Sequence, residues 1–181
     1  MTKQTYTVTV DYSKSVTELV KEGKYDWAND DITADHFPSK EKGTKRIKIA
    51  LFKFDHDISG EDVIRKMGKG FRPASLKEIL SLGAQYPDLQ RKDWIVALGS
   101  TWRGSYGYVY VPCLNGGGGG RGLRLNWWAS VWRSSWRFAA VQVSSTLKPS
   151  ITSKTLGTSD TLTLGDVNKK LDKIIKFFSI K

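Results

Sequence analysis

The chain has 181 residues, 39% of them hydrophobic and 12% aromatic, and a formal net charge of +11 at pH 7. That length suits one domain plus an appendage, and no run approaches the roughly 20 apolar residues needed to span a bilayer. The basic balance favours acidic partners such as nucleic acid, anionic glycans or acidic protein faces, while the single cysteine, Cys113, rules out an intramolecular disulfide and suits a reducing compartment.

The first segment, MTKQTYTVTVDYS, lacks a hydrophobic signal region, so a cytoplasmic or virion-associated location is expected. Within it, residues 4–10 alternate polar with β-branched and aromatic residues, which predicts a strand. Ser15 followed by Glu18 is a capping box that opens a short helix over 15–22, ended by Gly23. Residues 45–54, KRIKIALFKF, read as a strand. Ser59 caps a helix over 59–67, with Glu61 and Asp62 at its positive end. Ser75 and Glu78 form another capping box. They open a helix with a buried stripe of Leu76, Ile79 and Leu80, terminated by Gly83 and Pro87.

From Asp93 the pattern turns to β. WIVALGS reads as a buried strand. YVYVPCL is another, placed at an edge or bulged because Pro112 cannot donate to a ladder. Gly116 to Gly120 predict a flexible loop, with no Gly-Lys-Ser/Thr ending to support a phosphate cradle. LRLNWW alternates Leu123, Leu125 and Trp127 on one side with Arg124, Asn126 and Trp128 on the other. ASVWRSS reads as a connecting loop and WRFAAVQV as a closing strand. Residues 144–165 are rich in Ser and Thr and read as a linker or arm. Over 166–181, Val167, Leu171, Ile174 and Phe178 predict an amphipathic helix that docks on the body or on another copy, giving a homo-oligomer.

The stretch Arg121 to Val141 carries the most functional information. It holds Trp127, Trp128, Trp132 and Trp136, four of seven tryptophans, and its only charges are Arg121, Arg124, Arg133 and Arg137. After Asp93 the next acid in sequence is Asp160. Trp and Arg are enriched at binding hot spots, so the block reads as a displayed ligand-binding surface. His36 and His56 stand apart and without cysteine companions, and are read as surface or structural. Cys113, beside Pro112 in an apolar run, reads as a core residue. No metal, cofactor or catalytic set is expected.

GFRPASLKEILSLGAQYPDLQRKDWIVALGS, followed by YVPCLNGGGGGRGLRLNWWASVWRSSWRFAAV, resembles the variable proteins of diversity-generating retroelements. The likeness covers roughly residues 12–143, including KYDWANDDITADHFP. It implies an α+β domain over 1–143 with the C-type lectin fold: two main helices and antiparallel strands. It also implies that an adenine-targeting reverse transcriptase diversifies surface positions. Those implicated are Gly122, Arg124, Asn126, Ala129, Ser130, Val131, Arg133, Ser134 and Ser135. An Asn codon ending in a pyrimidine reaches Gly, Arg, Ala, Ser or Val through adenine changes, but not Trp. Trp127 and Trp132 are therefore assigned to the scaffold, where shared strand faces also place Leu123, Leu125 and Phe138. Trp128 and Trp136 join the ligand-binding set only with a different template codon. Trp102, Arg103, Tyr106 and Tyr108 form an adjoining surface.

The fold's sugar-binding relatives hold calcium through acidic motifs that this sequence lacks, so calcium-independent binding is implied. The related formylglycine-generating enzymes use cysteine chemistry, against which the single Cys113 argues. The expectation is a non-enzymatic binding protein for a protein or cell-surface ligand. The alternative is a basic module that stacks Trp and Arg on nucleic acid, although no lysine falls between Lys92 and Lys148.

Overall fold

Ten-residue strands at Thr2–Asp11 (β1) and Thr44–Lys53 (β3) pair antiparallel along their whole length, from Thr2↔Lys53 to Asp11↔Thr44. They belong to a computed structural model that describes residues 1–117 and 119–143. The arm expected over 144–165, the helix expected over 166–181 and the self-association assigned to that helix lie outside the described residues. The other elements are α1 (Val16–Gly23), β2 (Trp27–Ala28), α2 (Gly60–Met67), β4 (Phe71–Pro73), α3 (Leu76–Gln85), α4 (Leu89–Lys92), β5 (Ile95–Val96), β6 (Trp102–Arg103), β7 (Val109–Gly117), β8 (Gly120–Trp127) and β9 (Arg137–Gln142).

The chain is an α+β protein built on one nine-stranded sheet, ordered β1-β3-β9-β5-β7-β8-β2, with β4 beside β9 and β6 beside β7. The expected antiparallel pairing dominates, but β5 runs parallel to β9 and β2 parallel to β8. Alternation along each strand divides the apolar side chains between two faces. Ile49, Leu51, Leu114, Leu123 and Val141 pack with Leu19 of α1 and with Leu76, Ile79 and Leu80 of α3. Phe52, Val111, Cys113, Phe138 and Ala140 pack on the other face with Val63 and Met67 of α2 and with Trp132. Among the described residues no helix is long and apolar enough to cross a membrane.

The local signals at helix starts hold. Glu18 N–H donates to Ser15 Oγ (3.2 Å), and the Glu18 carboxylate accepts from Ser15 N–H (2.7 Å). Asp62 N–H donates to Ser59 Oγ. Glu78 accepts from Ser75 N–H at 2.7 Å. Glu78 is also buried, and receives Arg72 through both guanidinium ends (2.6 and 3.0 Å) and the Tyr12 hydroxyl (2.5 Å).

Three sequence expectations give way to packing. Gly83 does not end α3, which continues to Gln85. Its role is close approach: a Cβ there would lie 2.5 Å from Tyr25 Oη and 2.9 Å from Leu114 Cδ1. Pro112 lies inside the sheet rather than at an edge, because β5 spans only two residues. Beyond the end of β5, Ala97 N–H donates to Pro112 O (3.0 Å), and no regular ladder there asks for the donor that proline lacks. Among the described glycines of the run, Gly116, Gly117 and Gly120 are strand residues rather than a free loop. β7 and β8 pair through Gly116↔Arg121 to Gly117↔Gly120 and so make a hairpin.

The outer side of β1 is closed by side chains. The Gln85 amide accepts from Thr9 N–H (3.0 Å) and donates to Thr9 O (2.7 Å), and Tyr86 Oη donates to Thr7 O (2.9 Å).

Candidate functional site

From Trp127 to Trp136 the backbone is extended or turning, and exposure alternates with a period of two. Trp127, Ala129, Val131, Arg133 and Ser135 face outward; Trp128, Ser130, Trp132, Ser134 and Trp136 are half or fully buried. Each inward member has a visible hold; Ser130 N–H donates to Trp127 O (3.2 Å). Trp132 exchanges two backbone hydrogen bonds with Ile58, both 2.9 Å, and its ring packs against Trp136 and Phe138. Trp128 lies over Gly60 and donates its indole N–H to Glu61 (3.0 Å). Ser134 N–H donates to Asp57 Oδ1 (3.0 Å). Trp136 stacks on Trp94, with centroids 4.6 Å apart. The next residue, Arg137, donates through Nε to Asp93 (2.6 Å) and through its backbone N–H to Trp94 O.

A stretch with no acid near it in sequence is therefore stitched to Asp57, Glu61 and Asp93 in space. Glu61 is held below the ordinary glutamate range by its own backbone N–H and then by the Trp128 indole. Asp26, from the far end of the chain, accepts from Arg121 N–H. None of these four acids carries a sequence signal that could have linked it to the block.

The sequence-derived positions divide accordingly. Arg124, Ala129, Val131, Arg133 and Ser135 are exposed, with Val131 at 71%. Asn126, Trp128, Ser130, Ser134 and Trp136 are half-buried. Gly122 is buried, and the space where a side chain would point is taken by Asn115 Oδ1, 2.4 Å from an added Cβ. Its backbone lines a hollow shared with Asp26, Trp27, Asn115 and Arg124.

The scaffold assignment holds for Leu123, Trp132 and Phe138, all at or below 1% exposure. It fails for Trp127, which is 47% exposed. Trp127 does share a sheet face with Leu123 and Leu125, but it is the last residue of β8, beyond the reach of the core under that face. It stacks instead on Tyr108, with ring centroids 4.7 Å apart and planes 14° from parallel. Arg121 also differs from the expected display. It is buried, and its guanidinium donates to Gly23 O (2.6 Å), Gly83 O (2.7 Å) and Gln90 Oε1 (3.0 Å), tying β8 to α1, α3 and α4.

The adjoining surface is contiguous with the block. Trp128 N–H donates to Val109 O (2.9 Å), and Gly107, Tyr108, Val109, Trp127, Trp128 and Ala129 enclose a trough of about 430 Å³ with almost wholly apolar walls. Arg103 is exposed and donates to Gly107 O (2.6 Å); Tyr106 is 90% exposed. Trp102 is half-buried, stacked between His36 and Tyr110. With Tyr106, Tyr110, Leu125 and Asn29 it lines a second hollow of about 310 Å³.

Sequence reasoning missed Trp27. It is exposed on β2, and the Arg124 guanidinium lies 4.6 Å above its ring, while Arg124 Nε donates to Asn115 Oδ1 (3.1 Å). A lone tryptophan in a polar stretch was the available signal. Beside Arg124 across the β7–β8 ladder sits Cys113, whose thiol burial pushes up to about 12, so it stays a neutral core group. Among the described residues, Arg103, Arg124 and Arg133 have no carboxylate partner within ion-pair distance. The chain matches no family model, no curated protein and no solved structure.

Proposed function

We propose that this is a non-enzymatic ligand-binding protein of C-type lectin architecture. Its displayed side chains are exchanged by adenine-directed mutagenesis from a retroelement, as the resemblance to such variable proteins implies. One observation carries the reading: the strict alternation between Trp127 and Trp136. Four of the five outward residues, Ala129, Val131, Arg133 and Ser135, are reachable from an adenine-rich Asn codon. The two fully or largely immobilised rings, Trp132 and Trp136, alternate with them. Outward side chains can change without altering the core, because the inward neighbours and backbone bonds fix the segment. The partner is a protein or a cell-surface molecule, met by aromatic rings and arginines at the centre and by small polar residues around them.

Sequencing the DNA around the coding region tests this. A neighbouring reverse-transcriptase gene and a near-copy of the segment encoding 122–135, differing mainly at adenines, are expected. A flank with neither sinks the diversification reading.

A second reading, nucleic-acid binding, draws support from Arg124 stacked on exposed Trp27 and from the net charge of +11. It predicts strong binding of random single-stranded DNA that falls steeply with salt. The absence of binding at moderate salt removes it.

A further inference from the structure

The trough bounded by Tyr108, Val109, Trp127, Trp128 and Ala129 is an apolar recess of about 430 Å³ on the ligand face. That lies within the roughly 300–1,000 Å³ of sites that take small ligands. Tyr108 and Trp127 cover only one face of each other and remain about half exposed. Rings left so are costly in water and are the residue types that anchor interfaces. Trp127 cannot arise from the Asn codon that explains its neighbours, and Tyr108 lies outside the implicated stretch. Both are therefore fixed features beside exchangeable ones.

Two charges stand beside the trough: the Arg103 guanidinium, and the Glu61 carboxylate already engaged by the Trp128 indole. Register places Arg103 opposite Val109, and its bond to Gly107 O holds the guanidinium at the edge of the trough. Its remaining N–H groups have no acceptor among the described residues. A partner thus gains by bringing an apolar group and a negative charge together. Nucleic acid fits less well: the trough walls are apolar and offer little to read base edges, and no lysine follows Lys92 before Lys148 to track phosphates.

We propose that the trough is an anchor socket for an acidic protein segment. It receives one bulky apolar side chain, while Arg103 pairs with a neighbouring carboxylate. The inference rests on the ligand-display reading of this face; only the constancy of Trp127 and Tyr108 rests on its diversification as well.

The test pans a random peptide library displayed on phage against the full chain, then titrates the synthesised consensus peptide. A consensus that places a large apolar residue next to Asp or Glu is expected, with affinity falling as salt rises. Trp127→Ala should weaken that peptide at least tenfold, the loss of a hot-spot residue. It should leave the unfolding midpoint near that of the parent, because the ring is outside the core. Arg103→Glu should weaken binding and flatten its salt dependence. The proposal is overturned by a consensus lacking either the apolar or the acidic residue, or by undiminished affinity in Trp127→Ala. Equal competition from a short oligothymidylate also overturns it. Peptides that depend on Val131 and Arg133 but not on Trp127 would leave ligand display standing and remove the socket. Selection that yields no consensus at all removes both.

Discussion

Trp128 donates its indole N–H to Glu61 across 3.0 Å, joining residues 67 positions apart at the point where β8 ends and the exposed segment begins. The bond anchors a ring between the sheet and α2. It also places a carboxylate beside a surface whose Arg103, Arg124 and Arg133 have no ion-pair partner among the described residues.

That contact should be visible as a titration. Glu61 accepts from its own backbone N–H and from the Trp128 indole, which hold its carboxyl below the ordinary glutamate range. The indole N–H resonance of Trp128, identified by its loss in Trp128→Phe, is expected to move with a midpoint below that range. In Glu61→Ala it should not titrate. A midpoint at the ordinary value, or movement that persists in the variant, would separate the two groups.

Trp132 and Trp127 predict opposite responses to truncation. Trp132 is 1% exposed and packed against Trp136 and Phe138, so Trp132→Ala should cost about 3–5 kcal/mol. Val131→Ala and Ser135→Ala, on the outward side, should stay within about 0.5 kcal/mol. Urea denaturation at constant m-value measures both. Similar losses at inward and outward positions would contradict the alternation.

The Glu78 cluster sets an acid limit on stability. Burial by itself raises the Glu78 carboxyl, but Arg72, the Tyr12 hydroxyl and Ser75 N–H outweigh it and keep the group below its ordinary value. A carboxyl depressed in the folded chain contributes stability that is fully present above the unfolded pKa, about 4.3. That stability is lost as pH falls through the lower folded pKa. Glu78→Gln should therefore lose about 1–3 kcal/mol at pH 7, a modest figure because water reaches Arg72. The gap between variant and parent should narrow below pH 4. A constant gap from pH 7 to pH 3, followed by chemical denaturation, would argue against the linkage.

Much of the scaffold was legible because its signals are local. Ser15 with Glu18, and Ser75 with Glu78, mark helix starts through bonds made within four residues. Alternation in residues 4–10 and 45–54 marks strands whatever they pair with. Legibility ended where meaning depends on distant neighbours. Nothing near Gly83 in sequence reveals that Tyr25 and Leu114 crowd it. Pro112 reads as an edge residue unless the brevity of β5 is known. Helix α4 is four residues long, too short for a periodic pattern. In the candidate site, period-two alternation correctly divided Leu123 and Leu125 from Arg124 and Asn126. It could not tell that the core stops short of Trp127, nor that Arg121 turns inward to three backbone and side-chain acceptors.

The Gln85 amide that caps β1 at Thr9 has a consequence for how molecules meet one another. A primary amide is a side-chain copy of the peptide group, and it occupies the donor and acceptor of Thr9 that an incoming strand would need. At the opposite end the sheet stops at β2, only two residues long. Lateral fusion of one molecule to the next is thus blunted at both margins. An incoming strand therefore finds no free donor or acceptor at Thr9 and a short partner at β2. The margins of the sheet thus resist strand addition by side-chain capping at one end and by brevity at the other.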